Sequence, residues 1–314
     1  MKQSIEALKP AQGKKIKNSW RNKKNCSNYI WAYLMVAPTI IGLMILNIWP
    51  VIRTAYLSFT ETASFGSNKW IGLENYKTLF RDSIIWKATW HTFQFTILVV
   101  PLGIFLSLVI AALLNAKIKG TTIYRTIYFL PVVVAPAAIA IVWKWLFNAD
   151  FGLINHMLSA VGLKGPNWLT NSKWAMFSLS IVGIWSTLGY NMIILLAGLQ
   201  GIPRSYYEAA EIDGAGSIRQ FFNITIPLIS PTLFFVTITG LMGAIQQFDL
   251  VYMMIGPGNP AIESTQTLLY LFYRSGFVVN DKGFASAIVM WAFLLILIIT
   301  FIQFILQKKW VFYE

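Results

Sequence analysis

The stretch FASAIVMWAFLLILIITFIQFIL, residues Phe284–Leu306, runs for 23 residues without a charged side chain. A helix needs about 20 mostly apolar residues to cross the hydrocarbon core of a bilayer, so this stretch is long enough. Its apolar residues are continuous and do not alternate with polar ones, which favours a helix over a strand of a membrane barrel. The stretch therefore predicts a helix that spans a membrane.

The composition of the whole chain agrees with a membrane location. Of its 314 residues, 56% are hydrophobic and only 12% are charged, whereas about 25% of residues in an average soluble domain are charged. The net charge of +13 is concentrated at the start, because eight of the 25 Lys and Arg residues lie within residues 1–24. A basic segment ahead of a spanning helix suits an anionic cytoplasmic membrane face. Because no recognition module accompanies the charge, nucleic acid is not expected as a partner.

Five further stretches are long and apolar enough to span a bilayer, which makes six. The predicted spans are Tyr29–Ile52, Thr92–Leu114, Ile127–Trp143 (continuing to about Phe147), Trp174–Ile202, Pro231–Ile255 and Phe284–Leu306. The first of them is too long for the apolar core of a signal peptide, so we interpret it as an uncleaved anchor. The predicted fold is an all-α, polytopic protein of the lipid bilayer, with a basic cytoplasmic tail at residues 1–28 and a transmembrane domain at residues 29–314.

The distribution of Lys and Arg orients the six spans. With the N terminus inside, the inside segments hold 15 of these residues and the outside segments hold 10. The short loop Asn115–Arg125 contains three bases and no acid, and short loops with such a surplus stay in the cytoplasm. The sequence therefore predicts a multi-pass protein of the plasma or inner membrane with both termini in the cytoplasm.

The first outside segment, Phe59–Trp90, is rich in aromatic residues. They include Trp70, Tyr76, Phe80 and Trp86. Disordered segments contain few aromatic residues, so we expect this segment to form an ordered cap.

The longest inside loop, residues 203–230, contains two helix-start patterns. Ser205-x-x-Glu208 and Ser217-x-x-Gln220 both fit the capping box, in which the serine side chain caps the first turn of a helix. The first pattern predicts a helix from Tyr206, and Gly214 is expected to end that helix in a left-handed conformation. Two short helices at this surface would form a compact knob.

The side chains of the loop suit contact with a partner. Ala209 and Ala210 would let another surface approach closely, and Tyr206, Tyr207 and Ile212 could be buried in a groove of that partner. An amphipathic loop that lies on the membrane surface fits the same residues equally well. The residues alone leave both interpretations open.

The loop resembles the Glu-Ala-Ala motif of ATP-binding-cassette (ABC) importer permeases. That motif is Glu-Ala-Ala, three residues, Gly, nine residues and Ile-x-Leu-Pro, which corresponds here to Glu208-Ala209-Ala210, Gly214 and Ile224-Thr225-Ile226-Pro227. Ile226 in place of Leu is the one departure. The resemblance implies a type I importer (MetI-like) permease fold whose coupling helix docks on an ATPase subunit. The residues implied in that contact are Tyr207, Glu208, Ala209, Ala210, Asp213 and Gly214.

Other segments resemble the sugar-type members of this family. They are Arg125–Pro131, Trp143–Phe147, Leu196–Pro203, Tyr207–Ala215, and Phe248–Tyr252 followed by Gly256-Pro257-Gly258, where the family has Gly-Gly-Pro. The resemblance implies import of a sugar or sugar-like solute, such as an oligosaccharide, a monosaccharide or a glycerol phosphate. It also implies three kinds of partner: a second permease that completes a heterodimer, two ATPase subunits that bind ATP and Mg, and an extracytoplasmic solute-binding protein.

Sequence motifs for catalysis are absent from the chain. It contains no Gly-x-x-x-x-Gly-Lys-[Ser/Thr] loop, no Gly-x-Ser-x-Gly elbow and no His-Glu-x-x-His pair. Its single cysteine, Cys26, and its two distant histidines predict neither a disulfide nor a metal site. We therefore expect no catalytic residue, cofactor or metal on this chain, and ATP hydrolysis on a partner subunit.

Polar residues within the predicted spans are candidates for the substrate path, since polar groups inside a membrane are costly and mark such paths. Tyr190 and Asn191 lie in the fourth span, and Gln246, Gln247 and Asp249 lie in the fifth. They offer hydrogen bonds and an aromatic face, which together suit a sugar. Hydrogen bonding between helices is the alternative explanation for them.

Two other classes of function fit this sequence less well than an importer permease does. An ion-coupled secondary transporter would need several intramembrane acids or half-repeats, and only Asp249 fits that description. A membrane scaffold or receptor would not need two capped helices ahead of Pro227.

Overall fold

A computed structural model of the chain describes residues 23–62, 68–116 and 120–312. Most of the predicted basic tail, residues 1–22, lies outside the described residues, and so do Lys117 and Lys119 of the predicted inside loop. The chain divides into two units, residues 1–54 and 55–314. The first unit carries α1, which continues through a short π-helical stretch, residues 44–48, into α2.

Most of the described part of the chain is helical. Its helices in chain order are α1 (Lys23–Leu43), α2 (Trp49–Leu57), α3 (Glu74–Arg81), α4 (Ser83–Asn115), α5 (Thr121–Val133), α6 (Pro136–Leu146), α7 (Leu153–Ala160), α8 (Ser172–Gln200), α9 (Arg204–Ile212), α10 (Ser217–Gln220), α11 (Ile226–Leu228), α12 (Ser230–Ile245), α13 (Leu268–Tyr273) and α14 (Lys282–Trp310). Two short strands, β1 (Thr60–Thr62) and β2 (Asn68–Trp70), pair antiparallel with Glu61 opposite Lys69.

Four unbroken helices in the described residues are long and apolar enough to cross a membrane. They are Tyr29–Leu57, Ser83–Asn115, Ser172–Gln200 and Lys282–Trp310, and they confirm the first, second, fourth and sixth predicted spans. Three of them start at an Asp or Asn whose side chain accepts a hydrogen bond from a nearby backbone N–H: Asp82 for α4, Asn171 for α8 and Asp281 for α14. Such caps satisfy donors that the first helical turn leaves unpaired.

The third predicted span is not one helix. It is broken into α5 and α6, whose axes differ by 101°. Ala135, just before Pro136, is extended at φ −58° and ψ 135°. Proline disfavours a helical conformation at the residue before it and has no N–H to continue the helix, which accounts for the break.

The fifth predicted span also differs from the expected single helix to Ile255. α12 ends at Ile245, and a second bent pair joins Ser217–Leu228 to Ser230–Ile245 at 66°. The chain is non-helical at Gln247 and Phe248 and resumes a helix at Asp249. Counting each bent pair as one span gives six spans, in agreement with the predicted number.

The described residues of the expected cap, 59–62 and 68–90, are folded, and the last of them belong to a long helix. The cap contains the β1–β2 hairpin and α3, whereas Ser83–Trp90 belongs to α4. Phe59 stacks on Trp70 at 5.4 Å between ring centroids and contacts Tyr76 at the same distance. The buried Asn75 side chain donates to the carbonyls of Ser58 and Thr60, 2.9 Å each, and so fixes α3 to the hairpin.

The core of the second unit is centred on α4 and α8. The Ser107 hydroxyl of α4 donates to the Leu188 carbonyl of α8 at 3.1 Å. Gly183 of α8 packs beside the Phe95 ring of α4. Small residues such as this glycine let membrane helices approach each other closely. One apolar cluster, including Leu179, Val251 and Leu268, lies toward the cap, and a second, including Leu195, lies toward the 203–230 loop.

Candidate functional site

Two short helices form the 203–230 loop, as predicted, but both begin earlier than the capping boxes indicate. α9 starts at Arg204 with Pro203 at the N-cap position, and α10 starts at Ser217 with Gly216 at that position. Neither cap residue makes a side-chain hydrogen bond to its helix. Both capping-box predictions are therefore wrong. Pro203 has the extended conformation, φ −61° and ψ 137°, that a capping serine would otherwise adopt before the first helix.

The end of α9 is as predicted. Gly214 has φ +75°, in the left-handed region. Its N–H donates to the Glu211 carbonyl at 3.0 Å, and the N–H of Ala215 donates to the Ala210 carbonyl at 2.8 Å. This pair of bonds is a Schellman motif, which closes a helix where glycine reverses the chain.

The second helix of the loop runs from Ser217 through a π-helical stretch to Leu228. The Gln220 side chain reaches back to the Ala215 carbonyl at 2.9 Å. The Tyr207 hydroxyl lies 3.0 Å from the Thr225 hydroxyl, a hydrogen bond that joins the two helices. α9 therefore has a fixed position against the helix that leads into α12.

Ser230 connects the loop to the end of the chain. Its buried hydroxyl donates to the Pro227 carbonyl at 2.6 Å and accepts from the N–H of Phe312 at 2.8 Å. The hydroxyl lies at the 66° bend between the loop and α12. The last described residues of the chain therefore hold this bend.

The loop presents small, charged and apolar side chains to its surroundings. Glu208, Ala209 and Asp213 are exposed, and so are the large apolar residues Tyr206, Ile212, Ile218 and Phe222, with Ile212 at 87%. Of the residues implied in ATPase contact, Tyr207 and Ala210 are half-buried. Exposed bulky apolar groups beside small ones are typical of a surface that a partner covers.

The second unit also contains a cavity of about 400 Å³ between α4, α5, α6, α8 and α12, here called the inner cavity. Four of the five predicted path residues line it: Tyr190, Asn191, Gln247 and Asp249. Gln246 is not among its lining residues and is exposed at the end of α12. Ser186, Thr187 and Thr239, which sequence reasoning missed, also line the cavity.

The polar groups of the inner cavity differ in their availability. The hydroxyls of Ser186, Thr187 and Thr239 each donate to carbonyls of their own helix. Asn191 is only 6% exposed, and the described residues give its carboxamide no hydrogen bond. The Gln247 carboxamide is oriented so that its oxygen faces N–H donors. This oxygen accepts from the N–H of Leu250 at 2.9 Å and from the N–H of Asp249 at 3.2 Å. Gln247 therefore caps the helix that starts at Asp249, while Asn191 is available to a ligand.

Gly189 brings α5 against α8 beside this cavity. A Cβ at Gly189 would clash with the Tyr128 carbonyl oxygen and lie 3.0 Å from the Phe129 Cα. Only a residue without a side chain allows this approach. The sequence contains the glycine next to Tyr190 but gives no sign of the helix that packs on it.

Comparisons with known proteins agree with this architecture. The sn-glycerol-3-phosphate transport system permease protein UgpA of Salmonella choleraesuis (strain SC-B67) is 39% identical over 273 residues, which are 87% of this chain and 92% of that protein. The UgpA protein of Yersinia enterocolitica serotype O:8 is 37% identical over 286 residues, 90% of this chain and 95% of that protein.

Solved structures show the same fold. A chain of a bacterial ABC transporter involved in the import of the acidic polysaccharide alginate superposes with a TM-score of 0.81 at 24% identity, covering 91% of this chain and 98% of that one. A second structure, in complex with an alginate pentasaccharide-bound periplasmic protein, gives 0.81 at 23% identity, covering 91% and 96%. Residues 100–311 match the family described as binding-protein-dependent transport system inner membrane component. This chain belongs to that family.

Proposed function

We propose that this permease imports a sugar or sugar-like solute as one half of a heterodimer of two permease subunits. Its partners are the second permease, two ATPase subunits that bind ATP and Mg, and an extracytoplasmic solute-binding protein. As a permease component the chain is not itself an enzyme. Both termini lie in the cytoplasm, which puts the 203–230 loop on the side of the ATPases and the cap on the side of the binding protein.

The 203–230 loop carries the proposal. Its first helix is short, ends in a Schellman motif and is joined to the second helix by the Tyr207–Thr225 hydrogen bond. A small, well-supported helix with exposed apolar and acidic residues suits a groove on a partner. We assign the contact with the ATPase to Tyr207, Glu208, Ala209, Ala210, Asp213 and Gly214. Movement of the docked loop is transmitted to α12 through the bend at Ser230.

The class of solute is supported by two observations. The relatives described above are named for sn-glycerol-3-phosphate transport. The inner cavity also combines the Tyr190 ring with the carboxamide of Asn191 and the carboxylate of Asp249. A pocket with an aromatic surface and a few hydrogen-bonding groups suits a polyhydroxylated molecule. We assign the substrate path to Tyr190, Asn191, Gln247 and Asp249, and the cavity gives no support to the prediction for Gln246.

Gly214→Pro tests the coupling role. Proline holds φ near −65°, whereas Gly214 has φ +75° and donates its N–H to Glu211. We expect the end of α9 to open and the ATPase activity stimulated by loaded binding protein to fall about tenfold or more in the reconstituted complex, a loss of about 1.4 kcal/mol of coupling. Stimulated activity equal to that of the unaltered complex would show that the loop does not couple.

Two further variants separate coupling from folding of the loop. Gly214→Asn is the matched control, because asparagine tolerates the left-handed conformation, and it should keep most of the stimulation. Glu208→Lys changes an exposed side chain and leaves the loop folded, so it should lower stimulation while the four-subunit complex still copurifies. Full stimulation with Glu208→Lys would remove this residue from the contact.

A further inference from the structure

A second cavity, here called the outer cavity, lies between the start of α4 and the chain that connects α12 to α14. Its volume is about 500 Å³. Its polar and aromatic lining residues are Lys87, Tyr252, Glu263, Gln266, Tyr270, Tyr273 and Arg274. None of them was predicted as a site from the sequence. In the proposed orientation this cavity opens away from the cytoplasm.

The charges of the outer cavity are predominantly positive. Lys87 and Arg274 are exposed at its wall, and Glu263 is the one acidic residue of the lining. Within the described residues neither cation takes part in an ion pair, and the single pair found there joins Lys77 to Glu74 on α3. Two cations around a concave site that have no ion-pair partner among the described residues attract an anionic group.

Two nearly buried polar side chains also line the outer cavity. Gln266 and Tyr270 are each 5% exposed, and no hydrogen bond of the Gln266 carboxamide or the Tyr270 hydroxyl falls within the described residues. Buried polar groups without a protein partner are stabilised by water or by a ligand. Burial raises the pKa of the Tyr270 hydroxyl against a smaller opposite effect of Arg274, so the hydroxyl is protonated at neutral pH and can donate.

The backbone that carries these two side chains is held in place by three hydrogen bonds. The Gln266 carbonyl lies 3.3 Å from His91 Nδ1, and the N–H of Leu268 donates to the Thr92 hydroxyl at 3.1 Å. The Thr267 hydroxyl donates to the Gln247 carbonyl at 2.7 Å. The outer cavity is therefore preformed, and its wall is bonded to a residue of the inner cavity.

Aromatic rings complete one side of the outer cavity. Tyr252 stacks on Phe248 at 5.2 Å between centroids, and its hydroxyl lies 3.5 Å from that of Tyr273. Tyr273 in turn stacks on Phe277 at 5.5 Å. Rings that are held in this way present an apolar face and hydroxyl groups to the same ligand.

We infer that the outer cavity binds the anionic group, a phosphate or a carboxylate, of a sugar-like or polyol solute on its way to the inner cavity. Lys87 and Arg274 attract the anion, Gln266 and Tyr270 bind it or the adjoining hydroxyl groups, and the Tyr252 ring packs on the carbon skeleton. Glu263 accepts from a hydroxyl of the solute. This inference rests on the proposed import function, which it extends by naming an anionic class of solute and its first site on the permease.

Cysteine labelling of the full-length chain, assembled with its partners in membrane vesicles, tests the inference without knowledge of the solute. In a Cys26→Ser background, which removes the only native cysteine, Ile84→Cys places a thiol in the lining of the outer cavity. Met157→Cys on α7, an exposed position outside that lining, is the matched control. The rates of two methanethiosulfonates, one with a sulfonate and one with a trimethylammonium group, are compared at each site.

We expect the ratio of anionic to cationic labelling rate to be about tenfold higher at Ile84→Cys than at Met157→Cys. Lys87→Gln or Arg274→Gln should lower that ratio several-fold, whereas Arg81→Gln on α3, outside both cavities, should not. Millimolar sn-glycerol 3-phosphate should slow labelling at Ile84→Cys, and glycerol should not. Equal ratios at the two sites, or no protection by the phosphate ester, would overturn the inference.

Three outcomes identify which idea has failed. In the first, the binding protein slows labelling of Ile84→Cys while sn-glycerol 3-phosphate and inorganic phosphate do not. That result would make Lys87 and Arg274 a docking contact for the binding protein and overturn the solute site. Labelling of Ile84→Cys only from the cytoplasmic side would contradict the proposed orientation, and with it the import function. Accessibility from the outside without anion selectivity would leave the import function standing and refute the outer site alone.

Discussion

At the scale of single residues, the inner cavity distinguishes polar groups that are available from those that the protein already uses. The Thr239 hydroxyl donates to the carbonyls of Phe235 and Val236. Asn191 is buried, lines the same cavity and has no such bond within the described residues. The difference follows from the type of residue, because a Ser or Thr hydroxyl within a helix can bond the carbonyl four residues earlier, as Ser186, Thr187 and Thr239 all do.

Asn191→Leu should therefore impair transport through the loss of hydrogen bonds to the solute. Each such bond contributes about 0.5–1.5 kcal/mol, so we expect KM for uptake to rise roughly threefold to tenfold with little change in binding-protein affinity. Thr239→Val, which removes a hydroxyl already bonded within α12, is the control and should change KM less than twofold. Uptake kinetics of the reconstituted complex measure both, and equal effects would remove Asn191 from the path.

At the scale of elements, Ser230 joins three segments that meet at the bend between the loop and α12. Ser230→Ala removes the acceptor of the Phe312 N–H and the donor to the Pro227 carbonyl in a buried site. Leaving such groups unpaired costs about 1–3 kcal/mol, so we expect a lower midpoint of thermal unfolding and weaker stimulation of the ATPase.

Ser205→Ala is the matched control for Ser230→Ala. Ser205 is exposed and is not the cap of α9, so its replacement should change stability by no more than about 0.5 kcal/mol. A thermal shift of the purified complex measures both variants. If Ser205→Ala were the more destabilising, the helix start at Arg204 would be incorrect.

The elements also show how far the sequence predicts this fold. Hydropathy is sufficient for the four unbroken spans, because each is a continuous apolar run. The break at Ala135 could have been predicted, since Pro136 disfavours a helix at that position. The break at Gln247 could not, because the carbonyl released there is bonded by Thr267, 20 residues further along the chain.

The features of the candidate sites that depend on neighbouring residues were predictable from the sequence, and those that depend on distant residues were not. The left-handed Gly214 and the position of the loop follow from local sequence, whereas the helix starts at Arg204 and Ser217 do not match the local capping patterns. Four of the five residues predicted for the substrate path line the inner cavity. The outer cavity was missed because its residues come from α4 and from a segment that begins more than 160 positions later.

At the scale of the whole second unit, the third and the fifth predicted spans are both interrupted beside the inner cavity. Val134 and Pro136 line the cavity at one break, and Gln247 and Asp249 line it at the other. Non-helical backbone at membrane depth is tolerated where it is buried in protein or lines a cavity. If the inner cavity is the substrate path, as proposed, these breaks supply polar backbone groups to the solute, as in transporters with discontinuous helices.

This arrangement predicts that α5 and α6 together cross the membrane once, in spite of the 101° between them. The segments before and after the α5–α6 pair then lie on opposite sides of the membrane, and so do the segments before and after α8. In a Cys26→Ser background we expect Met157→Cys, on α7, to react with an impermeant maleimide in intact cells. Ile218→Cys, exposed on the 203–230 loop, should react only after the membrane is permeabilised.

If α5 and α6 instead turned back as a re-entrant hairpin, α7 would lie in the cytoplasm. α8 would then cross in the opposite direction, so the 203–230 loop would be outside and the labelling of the two cysteines would be reversed. Such a loop could not contact an ATPase, and the coupling role of Glu208 and Gly214 would have to be abandoned together with the six-span topology. Labelling of Met157→Cys from outside and of Ile218→Cys from inside is the only pattern compatible with both the coupling role and the six-span topology.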